Sequence, residues 1–413
     1  MDAIRSSHII HLAEKVLANT PVYNVADPLD LLLVDEAGNH HLTLLDGANF
    51  EPIHRFNLGS ALHGRPGFSP EGRFVYLASE DGWISKYDLY TLTAVAKIRA
   101  GIQTRNLAVS ADGRYIMVAN SQPHTLLLLN AQDLSPIKLF IAKDNTGITS
   151  RVSAVYTAAP RESYIVALKD IAELWEISYA TEPPPGFGMW VHDYRVDSGE
   201  KSTPEPFPVR KIKVADFLDD FCFDQDYISV IGISGTGKPQ VVDMDIGRVI
   251  VPDLKLPGQP QPASGTHWEY QDRTLLAAPD LAINQISLVD MDTWELVTTI
   301  ETLGPGASVH SHENSAYAWV YGFSGTDKDA VLVIDKRSLE IIKTLRPSPG
   351  QPATQVEFSR DGNYALLGIE QKEGAVIVYN AVTLEQIKRI PAHRPAGIYS
   401  LYREMLSAQV DTD

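Results

Sequence analysis

Cysteine is nearly missing from this chain: Cys222 is the one thiol in 413 residues. That excludes an intrachain disulfide, a CxxC zinc pair and a CxxCH attachment for a c-type haem. Basic charge is also short, with 35 Lys and Arg against 52 Asp and Glu for a net charge of −17. So acidic a protein is not a general binder of phosphate backbones, and nucleic acid is not expected as a partner. Nowhere do about 18 apolar residues run unbroken, so no membrane-spanning helix is expected. The N-terminal stretch carries Asp2, Arg5, His8, His11, Glu14 and Lys15 and lacks the apolar core of a secretion signal. As written, the chain reads as soluble and cytoplasmic. HExxH, GxSxG and acidic calcium-loop motifs are absent too. GISGTGK at 232–238 has the spacing of a phosphate-binding loop, but Pro239 and a strand follow it. Such a loop needs Ser or Thr after the lysine and then a helix, so the segment is read as a hairpin turn.

What the chain has in quantity is apolar and repeating. Hydrophobic residues make up 44% and charged residues 21%, a balance that buries a sizeable core and does not suit disorder. Short β-rich runs end in Asp or Asn and continue through a turn into another strand. Examples are ISKYDLYTLTAVAKI at Asp88, LLLLNAQDLSPIKLF at Asn130, ISLVDMDTWELVTTI at Asp290, VLVIDKRSLEIIKTL at Asp335 and VIVYNAVTLEQIKRI at Asn380. The anchors lie 42 apart from Asp46 to Asp88 and again to Asn130, 47 apart from Asp243 to Asp290, and 45 apart for the next two steps. A strand-rich period in the forties is a propeller signature. Between Asn130 and Asp243 there is room for one weakly matching repeat near Glu176 and a Pro- and Gly-rich loop insertion over 181–210, whose Trp190, His192 and Tyr194 could cover a ligand.

The fold expected is therefore all-β: an eight-bladed β-propeller over 21–406, preceded by an N-terminal helical extension over 1–20 in which 4–18 look helical. Turns of the SPEGR, SADGR and SRDGN type place Gly72, Gly113 and Gly362 where a hairpin needs positive φ. The first repeat lacks an inner strand and GIYSLY at 397–402 is left over. Pairing the two closes the ring and removes an exposed edge.

Residues just before or within the inner strands line the mouth of a propeller's channel, where ligands bind. They are His63, Arg65, Arg105, Arg151, Asp219, Asp220, His267, His310 and His312. Converging arginines suit an anionic ligand with more than one carboxylate, and histidine can ligate a haem iron or move protons near neutral pH. Each has a plainer reading as well. Arg105 and Arg151 could be halves of ion pairs, His310 and His312 could be a solvated strand edge, and only one of Asp219 and Asp220 can face a ligand, since strand side chains alternate.

From His63 to the C-terminus the chain resembles the haem d1 domain of cytochrome cd1 nitrite reductase and its stand-alone relatives in haem d1 biosynthesis. The motifs that carry the resemblance include ALHGRPGFSPEG, AGIQTRNLAVSADGRYIMVAN, SRVSAVYTAAPRESYIVALKDIAELWEISY, FLDDFCFDQDY and TIETLGPGASVHSHENSAYAWV. The resemblance implies that His63 is the axial ligand of the haem iron and that Arg105 and Arg151 face the macrocycle's carboxylates; Arg65 and His310 join them as binding candidates by their place at the rim. Asp219, His267 and His312 remain as general acid or base candidates. The distal histidines of the reductase correspond to Ala158 and Asp219, which argues against nitrite reduction. The function implied is haem d1 biosynthesis or maturation: binding haem d1 or a late precursor, with dehydrogenation of a propionate side chain to an acrylate as the chemistry. A non-catalytic haem d1 carrier and a nitrite reductase subunit with an external electron donor are the alternatives. The partners implied are a c-type cytochrome or apo nitrite reductase, in the periplasm where such relatives work.

Overall fold

The computed structural model describes residues 1–25, 27–182, 187, 205–234 and 237–406. Its strands form eight antiparallel sheets, seven of four strands and one of five. Eight buried apolar clusters each join two sheets that follow one another in the chain, and one of them joins the last sheet to the first, packing Leu366, Val376 and Val378 against Leu32, Val34 and Leu45. Sheets stacked face to face in a closed cycle make a propeller. Its blades, numbered 1 to 8 in chain order, have as inner strands Pro395–Ser400, Gly67–Phe68, Gln103–Val109, Val152–Ala158, Asp220–Phe223, Thr266–Tyr270, Ser308–Ser311 and Ala353–Phe358.

Both faces of every blade are covered, and this explains the sequence pattern. Side chains alternate between the faces of a strand, so Ile116 and Val118 pack toward blade 2 while Met117 and Ala119 pack toward blade 4. Middle strands such as Leu31–Glu36 and Thr125–Asn130 therefore carry unbroken apolar runs, as strands buried on two sides do.

The anchors have a common mechanical role. Asp46, Asp88, Asn130, Asp243, Asp290, Asp335 and Asn380 each end the third strand of a blade. In each, the side-chain Oδ1 accepts the backbone N–H two residues on. Four residues after the anchor the backbone turns left-handed, with φ between 56° and 66° at Phe50, Leu92, Leu134, Gly247, Trp294, Leu339 and Leu384. A non-glycine residue enters that region at a cost of about 1–2 kcal/mol, which the Asx turn offsets. Gly72, Gly113 and Gly362 do have positive φ, at 71°, 69° and 73°.

The ring closes as expected. Pro395–Ser400 pairs antiparallel with Leu31–Glu36, setting Ser400 opposite Leu32 and Ile398 opposite Val34. The chain then turns into a short helix, Leu401–Leu406, so the last two residues of GIYSLY leave the strand.

Two expectations need correction. The N-terminal helix covers only Asp2–Ser6, and Ile9–Ile10 is instead a fifth, outermost strand of blade 2, paired with Lys97 and Ala96. The edge of Thr93–Arg99 offers unpaired backbone groups, and β-branched isoleucines satisfy them better than an isolated helix would. Lys86, fully buried, holds this segment by an ion pair to Glu14 while donating to the carbonyls of Ala131 and Gln132 at 2.9 Å each. The insertion is also shorter than expected, because Val209–Lys213 is the outer strand of blade 4. Trp190, His192 and Tyr194 lie outside the described residues. Ser229–Ile233 pairs antiparallel with Pro239–Asp243, so a strand and not a helix follows Lys238, as the hairpin reading requires.

Candidate functional site

Register through the ladders defines one level of the channel. Gly67, Ala108, Val155, Cys222, His267, His310, Glu357 and Tyr399 each pair with an apolar residue in the second strand of the blade: Tyr76, Met117, Val166, Ile231, Leu276, Trp319, Leu366 and Leu33. On blades 2 to 5 these residues are small or medium-sized. On blades 6, 7, 8 and 1 they are large and polar, and the helix Leu401–Leu406 fills in beside them. A cavity of about 570 Å³ accordingly opens against blades 2 to 5.

Its wall is built from six places in the chain. Blade 2 and the turn before it give Gly64–Phe68, blade 3 gives Arg105–Val109, blade 4 gives Ser153, Tyr156 and Thr157, blade 5 gives Asp220–Phe223 with Tyr227, the turn before the inner strand of blade 6 gives Ala263, and the C-terminal helix gives Arg403 and Glu404. Gly67 packs closely here: a Cβ there would lie 2.6 Å from Leu107 Cδ1 and 2.7 Å from Val109 Cγ2, so those side chains would have to shift. Apolar faces of Phe68, Leu107, Val109, Phe221 and Phe223 alternate with charge. Arg65 donates through Nε to Glu404 at 2.9 Å, and Arg403 sits 3.4 Å from the buried carboxylate of Glu357. Arg105 donates through Nε to the Ser153 carbonyl at 2.9 Å and has no carboxylate within ion-pair distance among the described residues. Asp220 accepts from the Tyr156 hydroxyl and from the Phe221 N–H, both at 2.9 Å and both on Oδ1. Burial raises its pKa above the ordinary carboxylate range despite those donors and Arg105.

His63 is half-buried next to this lining, which begins at Gly64. Burial and the nearby Arg105 guanidinium lower its pKa against the pull of Glu80. The imidazole is thus held neutral, the form whose lone pair can bind iron.

The other predicted residues separate. Arg65 and Arg105 line the cavity. Arg151 does not: it is half-exposed and bound to Asp170, with Nε 2.9 Å from Oδ2, so the ion-pair reading holds for it. Asp219 is absent from the lining and pairs with Lys169 at 2.5 Å; its neighbour Asp220 is the one that faces the cavity. His267, His310 and His312 belong to blades 6 and 7 and none of them lines the cavity; His267 is exposed. His310 is buried with its Nδ1–H donated to the Val356 carbonyl, and burial followed by Arg403 drives its pKa far below normal. His312 lies past the inner strand, against the Gly362 turn, where its Nδ1 accepts from the Asn314 N–H at 3.1 Å. Sequence reasoning missed Tyr156, Arg403 and Glu404. Only the last two had a signal, as charged residues directly after the closing strand.

Residues 26–188 and 193–404 match the model of the cytochrome D1 heme domain family. The chain belongs to that family. Dihydro-heme d1 dehydrogenase of Pseudomonas aeruginosa is 45% identical over 399 residues, covering 96% of this chain and 76% of the relative. Protein NirF of Stutzerimonas stutzeri is 24% identical over 375 residues, 90% of this chain and 91% of that protein. Among solved structures, dihydro-heme d1 dehydrogenase NirN in complex with DHE superposes with a TM-score of 0.89 at 44% identity, over 97% of this chain and 81% of that one.

The residues present fit a tetrapyrrole of this class. A flat macrocycle with carboxylates needs apolar walls, cationic groups at its rim and a neutral imidazole in reach of the metal. Phe68, Leu107 and Phe221 would supply the first, Arg105 the second and His63, beside the lining, the third. No described group of three or more His, Cys, Asp or Glu could hold a bare metal ion instead.

Proposed function

We propose that this protein acts late in haem d1 synthesis, binding dihydro-haem d1 in the channel cavity and dehydrogenating a side chain. One observation carries the proposal: the cavity combines apolar faces, an arginine with no carboxylate partner among the described residues, and a neutral histidine at its edge. The 45% identical dehydrogenase and the neighbouring structure solved with DHE support the same substrate class. In this reading His63 would hold the iron and Arg105 would fix a substrate carboxylate. Arg65 and Arg403, already paired with Glu404 and Glu357, would close the floor without adding net charge.

Removal of two hydrogens from a propionate gives an acrylate, two protons and two electrons. The bound iron supplies an exit for the electrons. We propose an external acceptor of the c-type cytochrome class as the partner that collects them. Reduction of nitrite is not favoured, since Ala158 is fully buried and offers no proton, and Asp219 is held by Lys169.

The test is an absorbance titration of the apoprotein with dihydro-haem d1, run beside His63→Ala, followed by product analysis with a one-electron oxidant present. Saturable binding with an iron spectrum altered in the variant, and a product lighter by two hydrogens, is the expected result. Binding without that product would leave a carrier, and no binding by the wild type would end the proposal.

A further inference from the structure

Two residues of the cavity wall have no part so far: Tyr156 on the inner strand of blade 4 and Asp220 at the start of the inner strand of blade 5. Their side chains meet across the blade boundary. Tyr156 donates its hydroxyl to Asp220 Oδ1 at 2.9 Å, and the Phe221 N–H donates to the same oxygen at 2.9 Å. Among the described residues none donates to Oδ2. The Tyr156 ring is held edge-on against Phe221 with centroids 4.9 Å apart, so the hydroxyl has a fixed position. Both residues line the cavity, and both feel Arg105 across it. A hydroxyl backed by a carboxylate and facing a substrate cavity is the arrangement of a proton relay, in which the outer group exchanges protons and the inner one stores the charge change.

We infer that Tyr156 and Asp220 form the pair that takes a proton from the substrate side chain. The inference rests on the dehydrogenase reading above. Two C–H bonds break and one C=C π bond forms. One proton passes to Tyr156 Oη as the tyrosine's own proton moves to Asp220 Oδ1. The second leaves to water at the cavity mouth, and the two electrons pass one each to two equivalents of an external one-electron oxidant such as a ferric c-type cytochrome. Asp220 ends as the carboxylic acid and Tyr156 ends unchanged, so one proton lost to solvent resets the site. Burial supports the assignment, because it makes Asp220 a stronger base than an exposed carboxylate. The groups facing Asp220 are Tyr156 from blade 4, Arg105 from blade 3, and Asp219 and Cys222 on its own strand and the residue before it.

The experiment compares Asp220→Asn and Tyr156→Phe with wild type in two readouts, the absorbance titration with dihydro-haem d1 and single turnover with a ferric c-type cytochrome as a function of pH. For Asp220→Asn the rate is expected to fall roughly a hundredfold to ten-thousandfold, the usual worth of a general base, with binding within about threefold of wild type. The acidic limb of the wild-type pH profile, shifted above the ordinary carboxylate range, disappears with it. Tyr156→Phe, which keeps the ring packing on Phe221, is expected to lose about tenfold or more in rate at unchanged affinity and melting temperature. Asp220→Glu recovers part of the rate. Asp220→Asn turning over within threefold of wild type, or losing binding in step with rate, would overturn the pair while leaving the dehydrogenase reading intact. A wild type that binds but never turns over would overturn that reading instead.

Discussion

The two halves of the ring use one backbone for opposite ends. At a single level of the channel, blades 2 and 3 place Gly67 and Ala108, whereas blades 7, 8 and 1 place His310, Glu357 and Tyr399. The first half leaves a cavity. The second is filled, and Arg403 from the C-terminal helix neutralises the carboxylate buried there. A propeller's repeat sets where a side chain points, and side-chain volume then decides which sector of the channel stays open for a ligand.

Substitutions can break that contrast. The largest effect is expected from Ala108→Phe, which puts a bulky side chain on the open side: affinity for dihydro-haem d1 should fall roughly a hundredfold or more, each 1.4 kcal/mol of lost contact being a factor of ten. The absorbance titration reads this, and unchanged affinity would mean that the ligand sits elsewhere.

On the filled side, Arg403→Ala leaves Glu357, fully buried and with its pKa already raised by burial, without its ion-pair partner and with only Arg65 acting on it. A buried charge stripped of its partner costs about 3–5 kcal/mol, so the urea midpoint should drop well below wild type. A loss of less than about 1 kcal/mol in the unfolding free energy would show that Glu357 is already protonated.

A third test sharpens the contrast through pH. Asp35, on the second strand of blade 1, is buried with Oδ1 lacking any hydrogen bond, and burial together with Glu36 pushes its pKa up to about 7. The folded protein therefore keeps a proton that the unfolded chain releases near pH 4. The stability this group contributes is complete below that pH and is lost as pH rises through about 7. Asp35→Asn should remove this decline, seen as the difference between variant and wild-type urea midpoints at pH 5 and pH 8. Parallel pH profiles would refute it.

The smallest effect belongs to Arg151→Ala. Its exposed pair with Asp170 is worth under about 1 kcal/mol, and because Arg151 is outside the cavity, binding should stay within about twofold. A large loss of affinity would return Arg151 to the ligand.

Legibility in the sequence followed the range of the physics involved. The anchors were readable because an Asx turn is local: Asp290 acts on Asp292 and Thr293, and the same spacing recurs in blade after blade. The channel-facing set was readable only in part. Arg105 and Asp220 stood out as charged residues at inner strands, but Asp219 was favoured over Asp220 because the choice depends on which way one strand is rolled. His267 and His312 were grouped with the site because nothing in their own segments reveals the side of the ring to which their blade belongs. Ile9–Ile10 was taken as helix because its partner, Thr93–Arg99, lies far along the chain.

By itself the sequence determined an eight-bladed ring, its closure by the leftover strand at GIYSLY, its turns and its family resemblance, since these depend on periodicity and on contacts within a few residues. Tertiary structure alone decided that the cavity lies against blades 2 to 5, that Tyr156 and Asp220 meet, and that Arg65 and Arg403 find Glu404 and Glu357. Those contacts join residues tens to hundreds of positions apart, and their geometry exists only once eight separately paired sheets have been packed into one ring.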